Sequence, residues 1–178
     1  MISSLALLAL MQLAGCGGDA SDPSTGGYGS GSKARVMRVV DGDTIVVSIN
    51  GRTERVRYIG VDTPETVKPN TPVQCYGKKA SQLNHSLVEG RYVTLQFDRE
   101  RTDRYGRLLA YVRRSDGLDV NATLLKNGAA RTIEIRPNTS RAGEFRAIES
   151  KARSEQRGMW RMCAGSQVSG ASLVLSTR

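Results

Sequence analysis

The chain has 178 residues, with 26 Lys+Arg against 17 Asp+Glu, one histidine and a formal charge of +9. That length suits one self-sufficient core with extensions, and the charge favours polyanions such as nucleic acid or anionic lipid. A single histidine excludes a two-histidine ribonuclease mechanism, and the absence of CxxC or HxxxH spacing excludes a zinc finger.

Residues 1–15 carry no charged side chain, and the apolar run from Leu5 to Ala14 is too short to cross a bilayer, which needs about 20 residues. The stretch has the character of a signal peptide. It ends Leu13-Ala14-Gly15-Cys16, which resembles the lipobox of bacterial lipoproteins, so Cys16 is the expected lipidation site. The expected location is exported: a cell-envelope lipoprotein, or a secreted protein if Cys16 is not lipidated. Residues 16–32 form the expected Gly/Ser-rich flexible tether. Residues 33–163 are the expected folded domain, and residues 164–178 a loose C-terminal tail. With Cys16 set aside, an exported chain retains Cys75 and Cys163 as a candidate disulfide, the alternative being two separate thiols.

Val36 to Val40 and Thr44 to Ile49 read as strands, and Asn50-Gly51 is a hairpin signal that sends a third strand back over Arg52 to Val61. Ala80, Leu83 and Leu87 recur at helical spacing within residues 76–90, with Gly90 as the stop. Arg91 to Asp98 alternates Val93, Leu95 and Phe97 inward, and Arg107 to Val112 is the fifth strand, before the Asp116-Gly117 turn. A second helix follows over Asp119 to Asn127, ended by Gly128. The third, Ala142 to Arg157, turns Phe145, Ile148 and Ala152 inward and stops at Gly158. Five strands with one helix after the third and two at the end describe an α+β fold, a five-stranded OB-fold barrel with three helices.

The segment that draws chemical interest is Val61-Asp62-Thr63-Pro64-Glu65-Thr66, where an apolar strand ends by presenting two acids in a basic chain. Upstream, Asp41-Gly42 reads as a bend that sets Asp43 at a strand start. If those strand ends meet, hard oxygen ligands converge, as Ca²⁺ or Mg²⁺ requires. A third segment is Arg101-Thr102-Asp103-Arg104-Tyr105-Gly106-Arg107.

Taken in order, DGDT, RYIGVDTPET and RTDRYGR, closed by Gly158-Met159-Trp160, resemble the staphylococcal nuclease, or thermonuclease, family over roughly Ala34 to Trp160. The resemblance implies an OB barrel that hydrolyses phosphodiesters of DNA and RNA with Ca²⁺ and leaves 3′-phosphate ends. It places metal ligands on Asp43, Asp62 and the backbone carbonyl of Thr63, and a catalytic trio on Arg57, Glu65 and Arg107. Tyr105 and Arg104 fall where substrate contacts are expected. The residue types suit the reaction: guanidinium forks hold phosphate oxygens, and a carboxylate takes the proton of the attacking water. The expected state is a monomer, with DNA and RNA as substrates and a membrane contact through the N-terminal lipid anchor. The alternatives are a noncatalytic OB-fold module that binds nucleic acid and a structural envelope lipoprotein. Two departures stand out: Thr132 to Pro137 contains no tyrosine where the family member best suited to comparison has two, and Asn70-Thr71 replaces paired lysines. His85, on the first helix, is expected to be structural.

Overall fold

A computed structural model describes residues 31–66 and 72–165 of the protein. The leader, Cys16, most of the tether, Asn70-Thr71 and the tail from residue 166 lie outside the described residues.

The first strand, β1 (Ser32–Asp41), pairs antiparallel with β2 (Thr44–Ile49), which pairs with β3 (Arg52–Tyr58). Ser32 belongs to β1 and pairs with Leu95, which corrects its assignment to the tether. Asn50 and Gly51 both take positive φ, 50° and 74°, the twist that a two-residue hairpin needs to match its strands. The predicted third strand stops earlier than expected. Gly60 turns the chain with φ 76°, and a two-residue strand β4 (Val61–Asp62) follows in a separate sheet. A side chain at residue 60 would meet the Phe145 ring at 2.7 Å, so glycine is demanded by packing as well as by φ.

Helix α1 (Gly77–Val88) is followed by β5 (Tyr92–Gln96) and β6 (Leu108–Arg114). Then come α2 (Val120–Lys126), the short strand β7 (Arg131–Thr132), α3 (Ala142–Ser154) and α4 (Met159–Met162). Asp119 caps α2 by accepting from the Ala122 amide. The barrel closes in the order β1-β2-β3-β6-β5. Its closing pair, β3 with β6, is parallel, with Val56, Arg57 and Tyr58 opposite Leu108, Leu109 and Ala110. The five barrel strands and three long helices match the expected α+β architecture; β4, β7 and α4 are additions, too short to carry a periodic signal.

Alternate residues of the strands fill the barrel, with Ile45, Val47, Val56 and Leu95 wholly buried, and Leu124, Leu125 and Phe145 cover one side. Each such side chain contributes about 1.5 to 3 kcal/mol by leaving water. Phe145 packs edge-on against Tyr111 with ring centres 5.8 Å apart. On α1, buried Asn84 lies beside the apolar stripe, accepts from the Tyr58 hydroxyl at 2.9 Å and donates to the Asp41 carbonyl at 2.9 Å. That fixes α1 against the end of β1, where the acids gather.

Candidate active site

The turn between β1 and β2 is Asp41-Gly42-Asp43. A side chain on Gly42 would lie 2.6 Å from the Thr63 hydroxyl, so glycine lets the turn touch the segment after β4. Asp43 Oδ2 there accepts from the Thr63 amide at 2.8 Å and the Thr63 hydroxyl at 2.9 Å, while its Oδ1 accepts from Thr44 at 3.1 Å. Arg57 lies opposite Thr44 in the β2–β3 register. Its Nη1 donates to the Val61 carbonyl at 2.7 Å and lies 3.3 Å from Asp43 Oδ2, and its Nη2 donates to Asp62 Oδ1 at 2.9 Å. The guanidinium thus bridges a carboxylate of the β1–β2 turn and one at the end of β4. Asp43, Arg57, Asp62 and Thr63 are brought together as expected.

Glu65 follows on the loop that leaves β4. Its amide donates to the Gln74 side-chain oxygen at 3.0 Å, its carbonyl accepts from the Gln74 amide at 3.0 Å, and one of its carboxylate oxygens accepts from the Thr66 amide. Gln74 therefore ties the neck of the loop at two points. Sequence reasoning passed over Gln74 and also Asp41, which it read only as part of a bend. Asp41 Oδ1 accepts from the Thr66 hydroxyl at 2.6 Å and from the Gly42 amide at 2.7 Å. Burial, with Asp43 and a contact to Glu65 adding to it, leaves the Asp41 carboxyl above its ordinary value despite those hydrogen bonds. Burial also raises Asp62, helped by the charges of Asp43 and Glu65 and opposed by Arg57 and Arg131. At both carboxyls burial is the larger cause, and repulsion from the neighbouring acids adds to it.

The gathering of Asp43 and Asp62 about Arg57 gives an oxygen-only donor set of the kind that suits a hard divalent cation. Among the described residues no three His, Cys, Asp or Glu side chains come together to hold an ion by themselves. The candidate ligands are the Asp43 and Asp62 carboxylates and the Thr63 carbonyl, and further positions on such an ion would fall to water and phosphate oxygens.

Arg107 approaches from the loop before β6. Its Nε and Nη2 both contact Asp103 Oδ2 at 2.7 Å, and the Asp103 Oδ1 accepts from the amides of Tyr105 and Arg107 at 2.9 and 3.0 Å. Burial would raise the Asp103 carboxyl, but these bonds from Arg107 and Tyr105 hold it below its ordinary value. Asp103 is thus the residue that sets the plane of Arg107, and the D of RTDRYGR was its only signal. Arg57, Arg104, Tyr105 and Arg107 open on one cleft of about 530 Å³, whose far wall includes Ile133 and Ile135. Tyr105 is 68% exposed, its hydroxyl accepts from Arg104 at 2.6 Å, and the Arg104 and Arg107 guanidiniums lie 4.8 and 5.6 Å from its ring centre. Asp43 and Asp62 contact Arg57 but are not part of the cleft wall.

His85 and the disulfide lie outside the cleft lining. His85 pairs with Glu89 one helical turn on, at 2.8 Å, away from the cleft. Cys75, next to Gln74, is disulfide-bonded to buried Cys163 just after α4, closing a loop with a sequence separation of 88.

Comparison with known proteins matches residues 55–162 to the family described as Staphylococcal nuclease homologue. The thermonuclease of Staphylococcus intermedius is 46% identical over 130 residues, 73% of this chain and 77% of that protein. The chain belongs to the staphylococcal nuclease family. Two further relatives, the SPbeta prophage-derived endonuclease YokF and the endonuclease YncB of Bacillus subtilis (strain 168), are each 50% identical over 125 residues, 69% of this chain. The chain spans 42% and 59% of their lengths. The staphylococcal nuclease match begins at residue 55 and so contains Arg57, Asp62, Thr63, Glu65 and Arg107. Asp41 and Asp43 lie before it and join the site through their contacts with Thr63, Thr66 and Arg57. Ile133 and Ile135, from the segment without tyrosine, line this cleft.

Proposed function

We propose that this protein is a Ca²⁺-dependent nuclease that hydrolyses phosphodiester bonds of DNA and RNA and leaves 3′-phosphate ends. The observation that carries the reading is the meeting of two guanidiniums, Arg57 and Arg107, on one cleft beside the Asp43 and Asp62 carboxylates. A phosphodiester repels hydroxide, so its hydrolysis needs positive charge about the phosphate and a base for the water. Asp43, Asp62 and the Thr63 carbonyl would hold the metal ion, which when bound adds positive charge against the phosphate.

The chain's own groups do the rest. Arg107, its plane set by Asp103, and Arg57, steadied by the Val61 carbonyl, grip the non-bridging oxygens of the phosphate. Their hold strengthens as charge builds in the transition state. Glu65, on the loop tied by Gln74, accepts the proton of the water that attacks phosphorus in line with the departing 5′-oxygen. Contacts made to phosphate carry no base information, which accounts for tolerance of both sugars. Tyr105 and Arg104 line the path of the adjoining nucleotide.

In this reading the protein is exported and held to the cell envelope by lipid on Cys16, and it works as a monomer. A nuclease zymogram of membrane and soluble fractions tests the whole. The expected result is activity in the membrane fraction that a Ca²⁺ chelator abolishes and that Cys16→Ser moves to the soluble fraction. An inactive band with Ca²⁺ present would overturn the enzyme reading in favour of a binding module. Activity in the membrane fraction unchanged by Cys16→Ser would overturn the anchor.

A further inference from the structure

Helix α4 is seated on the end of α2 by a backbone contact that side chains would block. A Cβ on Gly128 would lie 2.2 Å from the Arg157 carbonyl, and one on Gly158 would lie 2.4 Å from the Asn127 and Gly128 carbonyls. The Met159 amide donates to the Gly128 carbonyl at 2.9 Å across this crossing. Trp160 is thereby held next to β7, whose first residue, Arg131, comes three after Gly128. The Cys75–Cys163 bond fixes the other end of α4.

Arg131 lies directly opposite Asp62 in the β4–β7 register, so the two side chains share a face with their β-carbons about 5 Å apart. Both residues are exposed, and an ion pair between them is within reach of the arginine stem. Among the described residues, however, Asp62 has its ion pair with Arg57, at 2.9 Å, and none joins it to Arg131. The Arg131 guanidinium lies instead 5.4 Å from the centre of the Trp160 ring, which also carries Arg153 at 5.2 Å. Stacking on an indole is worth a factor of about 2 to 5 at an exposed site and more than about 10 where water is excluded. A second guanidinium on a carboxylate that Arg57 already neutralises gains at most a factor of about 5. The stack is the stronger of the two. Trp160 Nε1 is shielded from solvent without a hydrogen-bond partner among the described residues, so the ring is seated by its faces and not by its N–H.

We propose that Trp160 is a positioning residue for the candidate metal site: by holding Arg131 it keeps a second guanidinium off Asp62 and leaves that carboxylate to a divalent cation. The proposal rests on the reading of Asp62 as a metal ligand. Arg57 engages only Asp62 Oδ1. A cation that had to displace Arg131 as well would bind more weakly by the strength of that pair. Neither Arg131 nor Trp160 lines the cleft, so both act through Asp62 and not on the substrate.

The test is calorimetric titration of the full chain with Ca²⁺, without nucleic acid, at a temperature where circular dichroism shows every variant folded. Trp160→Leu should weaken Ca²⁺ binding about 2- to 5-fold, the strength of an exposed guanidinium–carboxylate pair. The same change made on Arg131→Gln should leave the affinity where Arg131→Gln alone sets it. Trp160→Phe, which keeps an aromatic face, should lose less than Trp160→Leu. Arg131→Lys leaves Trp160 in place but exchanges the planar fork for a strongly hydrated point charge, and it should weaken Ca²⁺ as Trp160→Leu does. A loss in Trp160→Leu that is equally large on Arg131→Gln shows packing alone and overturns the proposal, as does unchanged affinity in both Trp160→Leu and Arg131→Lys. A second measurement, in chelator, keeps the metal reading apart. Unfolding equilibria of Asp62→Asn and Arg131→Gln, singly and together, should be independent while Trp160 is present and coupled about 2- to 5-fold in Trp160→Leu. No Ca²⁺ uptake by the unaltered chain, with that coupling seen, supports the hold on Arg131 and overturns the metal assignment. Coupling absent from both backgrounds overturns the proposal.

Discussion

Replacing Cys75 and Cys163 together by alanine tests how the catalytic loop is held. The bridge closes a loop with a sequence separation of 88, which in the chain-entropy treatment is worth about 4.6 kcal/mol at 25 °C. A typical domain has only about 5 to 15 kcal/mol in total, so the bond is a large part of what keeps the fold together. At about 4 °C per kcal/mol for a domain of this size, the thermal midpoint should fall by roughly 15 to 18 °C. The bond also bears on chemistry, because Cys75 adjoins Gln74, whose amide and side chain both bond to Glu65. Without the bridge the neck of that loop loses its link to the C-terminal helix, and Glu65 is less closely held. At a temperature where both proteins are folded, kcat should fall toward the roughly 10²-fold scale of a misplaced catalytic group while KM holds. Circular dichroism melts with and without dithiothreitol, followed by single-turnover cleavage of a labelled strand, read both effects. A midpoint that shifts by less than a few degrees would refute the entropic argument. An equal change in kcat and KM would refute the coupling to Glu65.

Two further outcomes follow from the site and its support. Asp62→Ala should weaken Ca²⁺ binding, with rate restored in part by excess Ca²⁺, whereas Glu65→Gln should lower kcat by about 10² or more with no such rescue, as steady-state titrations with Ca²⁺ would show. Asp98, two residues past the end of β5, accepts from the Ser140 amide at 3.0 Å, the Tyr111 hydroxyl at 3.1 Å and the Arg99 amide at 3.0 Å. Burial raises its carboxyl, but those bonds outweigh it and hold it below the ordinary 3.8. A lowered acid stabilises the fold above that value and ceases to as pH falls through its folded pKa. Asp98→Asn should therefore cost about 1 to 3 kcal/mol at pH 7, and urea melts should show the gap closing at acid pH.

Much of this protein is written locally. The Asn50-Gly51 turn, the stripe of Ala80, Leu83 and Leu87, and the alternation of Val93 and Leu95 each lie within a window of about ten residues, where backbone preference and side-chain period act directly. The acids of VDTPET and the arginines of the motifs were legible for the same reason, since residue type alone restricts what a carboxylate or guanidinium can do. Tertiary structure decided what those groups meet. Pairing of Val56 with Leu108 joins residues with no local signal in common, and it brings β6 and its leading Arg107 alongside Arg57. The strands β4 and β7 have two residues each, too few to show a period, yet their pairing sets Asp62 opposite Arg131 and frames the loop of Glu65. Asp41 read as a bend because a turn explains DG without further partners; only when α1 and the Thr66 segment close over it does burial raise its carboxyl and make it part of the cluster. Local sequence determines elements and chemical capacity, whereas desolvation and charge proximity exist only after distant segments have packed together.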